Sequence, residues 1–337
     1  MIPHNKPTLG IEEENAALRV IRSNWIAQGP EVESFEKEFS SFIGIPPTNA
    51  VAVANGSAAI FLAVKSLMPE NKKISLPSYT CSVIRGASLL CGCKTELIDV
   101  AKNTPNIDFK QLKTSDSDIA IIPHMYGIPS EIPSDLQQKT IEDCAQALGS
   151  KVNGKFTGLQ GEIGIFSFHA TKMITSGGQG GMIISKNKEL IEKIRNLRDY
   201  GIQDDIPRLN FQMTDIQASI GREQLKKLPF FIKKREEIFQ KYKQSGLELL
   251  DISSKDKNRI FPVRFRAIMK TSNPTQIIKR LAEKEIRATN LIEYSDLLGN
   301  PLNFPNSVPL TKERVSLPIY PTLTNESIDT ILSVLNQ

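Results

Sequence analysis

Seven short apolar runs punctuate the first two-thirds of the chain: "NAVAVA" (49–54), "KISLPS" (73–78), "TELIDV" (95–100), "DIAIIPH" (118–124), "KTIED" (139–143), "GIFSFH" (164–169) and "GMIIS" (181–185). Each has the length and apolar content of a strand covered on both faces. Helix-like stretches separate them; in "SAAIFLAVKSL" Ile60, Ala63, Val64 and Leu67 share one face at helical spacing. Buried strands alternating with helices predict an α/β fold, with a mostly parallel seven-stranded sheet between helical layers. Ligands gather at the carboxyl ends of such strands.

The pattern changes near residue 230. "QLKKLPFFIKKREEIFQKYKQ" reads as a long charged helix that Pro229 breaks or kinks. An alternating strand "RIFPVRFR" (259–266) follows, then a helix "NPTQIIKRLAEKEI" (273–286) and a last helix after "LTNES" (323–327), with Thr324 a candidate cap. This predicts a large domain over 1–230 and a smaller C-terminal α/β domain over 231–337. The N-terminal segment is a candidate to pack on the smaller one. "GNPLNFPNSVPLTKE" (299–313), rich in Pro and Asn, reads as a loop.

Composition narrows the function classes. Apolar residues make up 40% of the 337 and charged residues 23%, as in a folded globular protein. The net charge of +5 comes from 42 basic and 37 acidic residues, too diluted to mark a nucleic-acid binder. The densest basic run, "KKLPFFIKKREE" (226–237), mixes signs and reads as a solvated helix face. No stretch has the apolar length of a membrane-spanning helix. "MIPHNKPTLGIEEENAALRV" lacks the charged-then-apolar order of a secretory signal. Cys81, Cys91, Cys93 and Cys144 form no C-x-x-C pair, and three histidines weigh against a zinc site. A cytoplasmic protein with reduced thiols is the expectation.

Three strand ends carry the candidate chemistry. "VAVANGSAAIFLAVKSL" runs from a strand through Asn55-Gly56-Ser57 into a helix, with Ser57 a candidate N-cap. A helix N-terminus presents free N–H groups to an anion, typically phosphate, although a plain capped helix explains the same pattern. Neither a Walker loop nor a G-x-G-x-x-G fingerprint is present. "KTIEDCAQALGS" (139–150) ends its strand in Glu142-Asp143, with Gln146 three residues on. Asp143 reads either as a cap or as a carboxylate facing a ligand. "IFSFHATKMITSGGQGG" (165–181) sets Lys172 between a strand and Gly177, Gly178, Gly180 and Gly181, with Ser167 five residues earlier. A surface hairpin with a solvated lysine is one reading; a lysine held where the backbone approaches a ligand is the other. Lysine, aspartate and a phosphate cup at neighbouring strand ends form the set that pyridoxal phosphate requires. The amine makes a Schiff base, the carboxylate keeps the pyridine nitrogen protonated, and amides bind the phosphate.

These stretches resemble the DegT/StrS family of sugar aminotransferases, pyridoxal-phosphate enzymes of the type I, aspartate-aminotransferase fold. The resemblance extends to "SNWIAQGPEVESFEKEFSSFIG" (23–44), "LPSYTCS" (76–82), "IIPHMYG" (121–127), "LNFQMTDIQASIGREQL" (209–225) and "RVSLPIYPTLT" (314–324), nearly the whole chain. It implies that Lys172 binds the cofactor covalently, that Asp143 pairs with the pyridinium nitrogen and that Gln146 lies beside the ring. Ser57, the backbone of Gly56 and Ala58, and Ser167 would hold the phosphate. Asn210 matches an asparagine with which the partner subunit completes that site, implying a homodimer with shared active sites. The implied reaction moves an amino group from an amino acid, glutamate by resemblance, to a nucleotide-linked keto-sugar in surface-polysaccharide or amino-sugar biosynthesis.

Some positions depart from the family pattern. Cys81 stands where an aromatic residue usually stacks on the cofactor, a smaller polarisable contact. Gln212 replaces a frequent arginine and Ser57 a frequent threonine, and 287–313 matches weakly. These departures bear on substrate identity. Sugar dehydratases of the same family carry histidine at the lysine position, so Lys172 argues against that alternative; His169, three residues earlier, has no assigned role. The other alternative is a non-catalytic, ligand-sensing protein that keeps the fold.

Overall fold

The computed structural model describes residues 1–67, 72–200 and 208–336. Its principal sheet contains β1 (Ala50–Val53), β2 (Lys73–Pro77), β3 (Lys94–Ile98), β4 (Ile119–Pro123), β5 (Lys139–Asp143), β6 (Ile163–Ser167) and β7 (Gly181–Ile184). Every one of the seven apolar runs supplies a strand. Their order is β1-β7-β6-β5-β4-β2-β3. β7 pairs antiparallel with β1 and β6, and every other pairing is parallel. β1, β4 and β7 are buried along their whole length, as strands covered on both faces must be.

The covering helices are α1 (Ile11–Ser23), α2 (Pro30–Ile43), α3 (Gly56–Leu67), α4 (Ser82–Leu90), α5 (Lys188–Arg198) and α6 (Asp215–Gln244). Alternation along β1 and β6 divides the core. Val51, Val53, Ile163 and Ile165 meet α3 and α5 through Ala59, Ala63, Ile191 and Ile194. Ala50, Ala52 and Phe166 meet α2 and α6 through Phe35, Phe39, Leu225 and Leu228. Phe39 sits edge-on to Phe166 and Phe168, with centroids 5.0 and 5.8 Å away. Each such pair contributes about 0.5–1.5 kcal/mol beyond area burial. These contacts fix the strand end that leads into Lys172.

A second, two-stranded sheet joins β8 (Ala267–Lys270) antiparallel to β9 (Arg314–Leu317). It packs with α7 (Pro274–Glu283) and α8 (Asn325–Leu335), whose Leu281, Ile328 and Ile331 are buried with Val315 and Leu317. Thr324 caps α8, its hydroxyl accepting the Ser327 N–H. The first residues reach the same layer: the Ile2 N–H donates to the Glu285 carbonyl at 2.8 Å, and the Arg287 N–H to that of Ile2 at 2.9 Å.

Three expectations need correction. α6 is one continuous helix of 30 residues through Pro229. Leu225, Leu228 and Phe231, buried on either side, hold it together against the roughly 3 kcal/mol an interior proline costs. The alternating run 259–266 contributes only Ile260–Phe261 to a strand, and the strand of the second sheet starts where that run ends. Arg264 has φ 50°, which turns the chain, and its guanidinium is held by Glu236 at 2.8 Å and Asp251 at 2.5 Å. Arginines held inside by such contacts mimic a polar face. The segment 299–313 contains a short helix, Ser307–Lys312, whose entry is tied down by the Asp99 carboxylate accepting the Asn306 and Ser307 N–H groups.

Candidate active site

The carboxyl ends of β1, β2, β5 and β6 open on one cavity of about 660 Å³. Its wall includes Gly56 and Ser57 after β1, Thr80 and Cys81 after β2, Asp143, Ala145 and Gln146 at the end of β5, and Ser167, His169, Thr171, Lys172 and Gln179 beyond β6.

One end suits an anion. The chain leaves β1 through Asn55, whose side-chain oxygen accepts the Ala58 N–H at 2.9 Å. Asn55 is therefore the cap, and the expectation for Ser57 is corrected: α3 already begins at Gly56, which leaves Ser57 exposed inside the first turn. Its hydroxyl and the first amides of α3 lie at the positive end of a 12-residue helix. Ser167 lies directly against this turn. A Cβ on Gly56 would come within 2.8 Å of the Ser167 Cβ, so only glycine lets the two approach.

The middle of the cavity holds Asp143, 9% exposed. One of its oxygens accepts the Ala145 N–H at 2.9 Å. Burial raises its pKa above the usual carboxylate value, opposed by that N–H and by the charge of Lys172. Its neighbour Glu142 points to the opposite side of the strand, as the two-residue period requires. There Glu142 accepts N–H groups from Gly158 (2.8 Å), Gln160 (2.6 Å) and Gly161 (2.8 Å). His124 accepts the Ser130 N–H on Nδ1, which assigns the proton to Nε2, and Nε2 donates to Glu142 at 3.0 Å. Burial alone would raise Glu142, but the His124 hydrogen bond and the amides outweigh it and hold the pKa below its ordinary value. The donor atoms of His124, Glu142 and Cys144 lie within 4.8 Å of one another. With the carboxylate committed to N–H donors and burial pushing the Cys144 thiol well up, the cluster is a hydrogen-bonded brace for β5.

Lys172 follows a tight turn in which its N–H donates to the His169 carbonyl at 2.9 Å. Gly177 and Gly178 take φ of 67° and 115° and return the chain toward β7. There Gly181 lies so close to Asn55 that a Cβ would be 2.7 Å from its carbonyl oxygen. The glycines thus fold the lysine segment against the start of α3. Burial lowers the Lys172 pKa; Asp143 opposes the shift and Arg266 reinforces it. Lys172 Nζ stands 5.5 Å from the centroid of the Phe265 ring.

Of the expected residues, Gly56, Ser57, Cys81, Asp143, Gln146, Ser167 and Lys172 share the cavity wall. Ala58 is buried, with its N–H taken by Asn55. Asn210 is exposed, outside its own chain's cavity, with its side-chain oxygen accepting the Gln212 N–H at 3.0 Å. The Gln146 side-chain oxygen accepts the N–H of Tyr126, a non-glycine residue at φ 60°. Sequence reasoning passed over Asn55, for which a strand-end asparagine before Gly-Ser is a readable cap signal. It also passed over Thr80, Thr171, Gln179 and Phe265, for which no local signal exists.

The chain matches the DegT/DnrJ/EryC1/StrS aminotransferase family over residues 7–336. It belongs to this family. GDP-perosamine synthase of Escherichia coli is 26% identical over 100% of this chain and 98% of its own length. The UDP-4-amino-4,6-dideoxy-N-acetyl-beta-L-altrosamine transaminase of Campylobacter jejuni is 32% identical over 72% of this chain and 69% of its own. A Streptococcus pneumoniae protein solved in a PMP form superposes with a TM-score of 0.90 at 21% identity, covering 99% of this chain and 98% of that one. This last likeness establishes the type of fold. Among the described residues no helix is long and apolar enough to cross a membrane.

Proposed function

We propose that the chain is a pyridoxal-phosphate-dependent aminotransferase that carries an amino group from an acidic amino acid, glutamate, to a nucleotide-linked keto-sugar. The observation that carries this reading is the joint presence of Lys172 and Asp143 on one cavity wall, beside the open first turn of α3. The Gly56–Ser167 approach fits the cofactor's phosphate, since a side chain at position 56 would fill that cradle. Two relatives named for sugar-nucleotide amination support the acceptor class.

When bound, pyridoxal phosphate supplies an electron sink for a carbanion at the donor's α-carbon. Ser57, Ser167 and the amides at the start of α3 would hold the phosphate. The Asp143 carboxylate would hold a proton on the ring nitrogen. Lys172 would attach the cofactor and, once displaced, move a proton at the donor's α-carbon, a role that a lowered amine pKa favours. Cys81 and Gln146 would flank the ring. The partner subunit's Asn210 would complete the phosphate site, which makes a homodimer the working unit. A cytoplasmic location belongs to the same reading. So does a division between 1–230 and 231–337, with α6 as the strut that enters both cores: Leu228 packs in one, Phe239 and Tyr242 in the other.

The test is amino transfer from glutamate to a panel of GDP- and UDP-linked keto-sugars, followed by mass spectrometry. An aminated sugar nucleotide, absent with Lys172→Ala, is the expected result. Retention of near-native transfer by that variant overturns the lysine's role. A protein that binds the cofactor and transfers nothing across the panel is instead a sensor.

A further inference from the structure

His169 is a half-buried residue of the cavity wall to which the amino-transfer chemistry gives no task. It follows Ser167 by two positions along an extended segment, with Phe168 turned the other way against Phe35 and Phe39. His169 therefore stands on the same side as Ser167, beside the cradle that Ser167 forms with Gly56 at the positive end of α3. Its N–H reaches the Ser167 Oγ at 3.4 Å. The backbone is held on both sides of it: the Phe168 and Ala170 N–H groups donate to the carbonyls of Gly180 and Gly178 at 2.8 and 3.0 Å.

The ring is oriented as well. The Thr171 N–H donates to Nδ1 at 3.3 Å, and the Thr171 hydroxyl lies 3.0 Å from the same atom. Thr171 is tied down in turn, its carbonyl accepting from the Asn5 side chain at 3.1 Å. An Nδ1 that accepts leaves the proton of the neutral ring on Nε2. That Nε2–H is a donor of fixed direction without a partner among the described residues. Burial and the charge of Lys172 hold the pKa of His169 below its ordinary 6.5, which keeps the ring neutral. We propose that His169 is a phosphate-binding residue, its Nε2–H donating to a phosphate oxygen that lies against Ser167. The inference deepens the proposed aminotransferase reading and rests on it. That reading offers two phosphates, the cofactor's monophosphate and the diphosphate of the sugar nucleotide. A hydrogen bond to a charged oxygen is among the stronger ones, and a neutral donor makes it without adding a positive charge beside Lys172.

The test is an NMR pH titration of the histidine rings of the purified protein. The chain has three histidines, and the His169 signal is the one lost in His169→Leu. The arms are protein alone, with pyridoxal, with pyridoxal phosphate, with pyridoxal phosphate plus UDP, and with inorganic phosphate. Pyridoxal occupies Lys172 without bringing a phosphate, so it isolates the effect of the lysine's charge. A phosphate against Nε2 favours the protonated ring. The His169 pKa should rise by about one unit more with pyridoxal phosphate than with pyridoxal if the phosphate is the cofactor's, or by that amount on adding UDP if it is the nucleotide's. His169→Leu should bind that same ligand at least about tenfold more weakly. His169→Gln, whose amide can place an N–H where Nε2 stood, should stay within about threefold of wild type. Equal rises with pyridoxal and pyridoxal phosphate, and none with UDP, overturn the proposal, because the ring then senses only Lys172. A rise with inorganic phosphate alone also overturns it, as an adventitious ion only. So does a His169→Gln as weak as His169→Leu, which makes the ring's shape and not its N–H the contribution. None of these readouts needs amino transfer: the pKa can rise where every keto-sugar is refused, and stay flat where one is aminated.

Discussion

Gly56 and Ser167 are in direct backbone-to-side-chain apposition: a Cβ at position 56 would lie 2.8 Å from the Ser167 Cβ and 3.0 Å from its Oγ. The start of α3 is thereby docked on the end of β6, two strands away in the sheet. Gly56→Ala must push the two apart. Overpacking of this kind costs about 1–3 kcal/mol, and it also widens the cradle proposed for phosphate. The expected outcome is a lower melting temperature and at least about tenfold weaker pyridoxal-phosphate binding by fluorescence titration. Wild-type affinity in the alanine variant would remove the cradle from the argument.

Lys172 gives a pH signature that needs no substrate. Burial and Arg266 place its pKa in the fold below the ordinary value of 10.5. Folding therefore penalises the ammonium form. That group's share of stability is full above 10.5 and is lost as pH falls through the folded-state value. Lys172→Met should accordingly melt higher than wild type at neutral pH, with the gap closing as pH rises toward 10.5. Paired thermal scans of cofactor-free protein read it out; a gap of opposite sign means the lysine is net stabilised by Asp143.

Glu142 has the reverse sign. Its pKa lies below 4.5 in the fold, so its contribution is present above 4.5 and lost as pH falls through the folded value. Glu142→Gln replaces an acceptor of three amides and of His124 by a group that must aim N–H at N–H. Breaking a buried charged contact of this kind costs about 3–5 kcal/mol. A lower urea midpoint at neutral pH, with the deficit shrinking in acid, is the expected result. An unchanged midpoint would mean that the brace on β5 carries no energy.

The strands were legible because both faces of the sheet are covered, which writes each strand as an uninterrupted apolar run. That Asp143, Ser57 and Lys172 share a cavity wall was legible because Asp143 ends a strand, Ser57 stands in the first turn of a helix and Lys172 lies in the glycine-rich turn between two strands. What escaped depends on contacts distant in sequence. The run 259–266 imitates a strand until Arg264 turns the chain at φ 50°, a turn held by Glu236 and Asp251. Pro229 reads as a break until Leu225 and Phe231 are seen buried on either side of it. Phe265 and Arg266 look like one more alternating pair; only the fold brings them beside a lysine some ninety positions earlier in the sequence.

Asn210 leads to the last prediction. It is exposed and absent from its own chain's cavity wall, as a residue that serves a second subunit has to be. In a two-fold dimer each site would then combine Lys172 of one subunit with the partner subunit's Asn210. Lys172→Ala alone and Asn210→Ala alone should both be impaired, the first completely. In a mixed dimer of the two variants, one site inherits both lesions and the other inherits neither. Random mixing yields mixed dimers for half the population, so about a quarter of wild-type turnover should return after dissociation and reassociation. The measurement is amino transfer before and after mixing, with subunit exchange verified by mass-tagged chains. If exchange is complete and activity stays at the level of the separate variants, Asn210 acts within its own subunit or not at all.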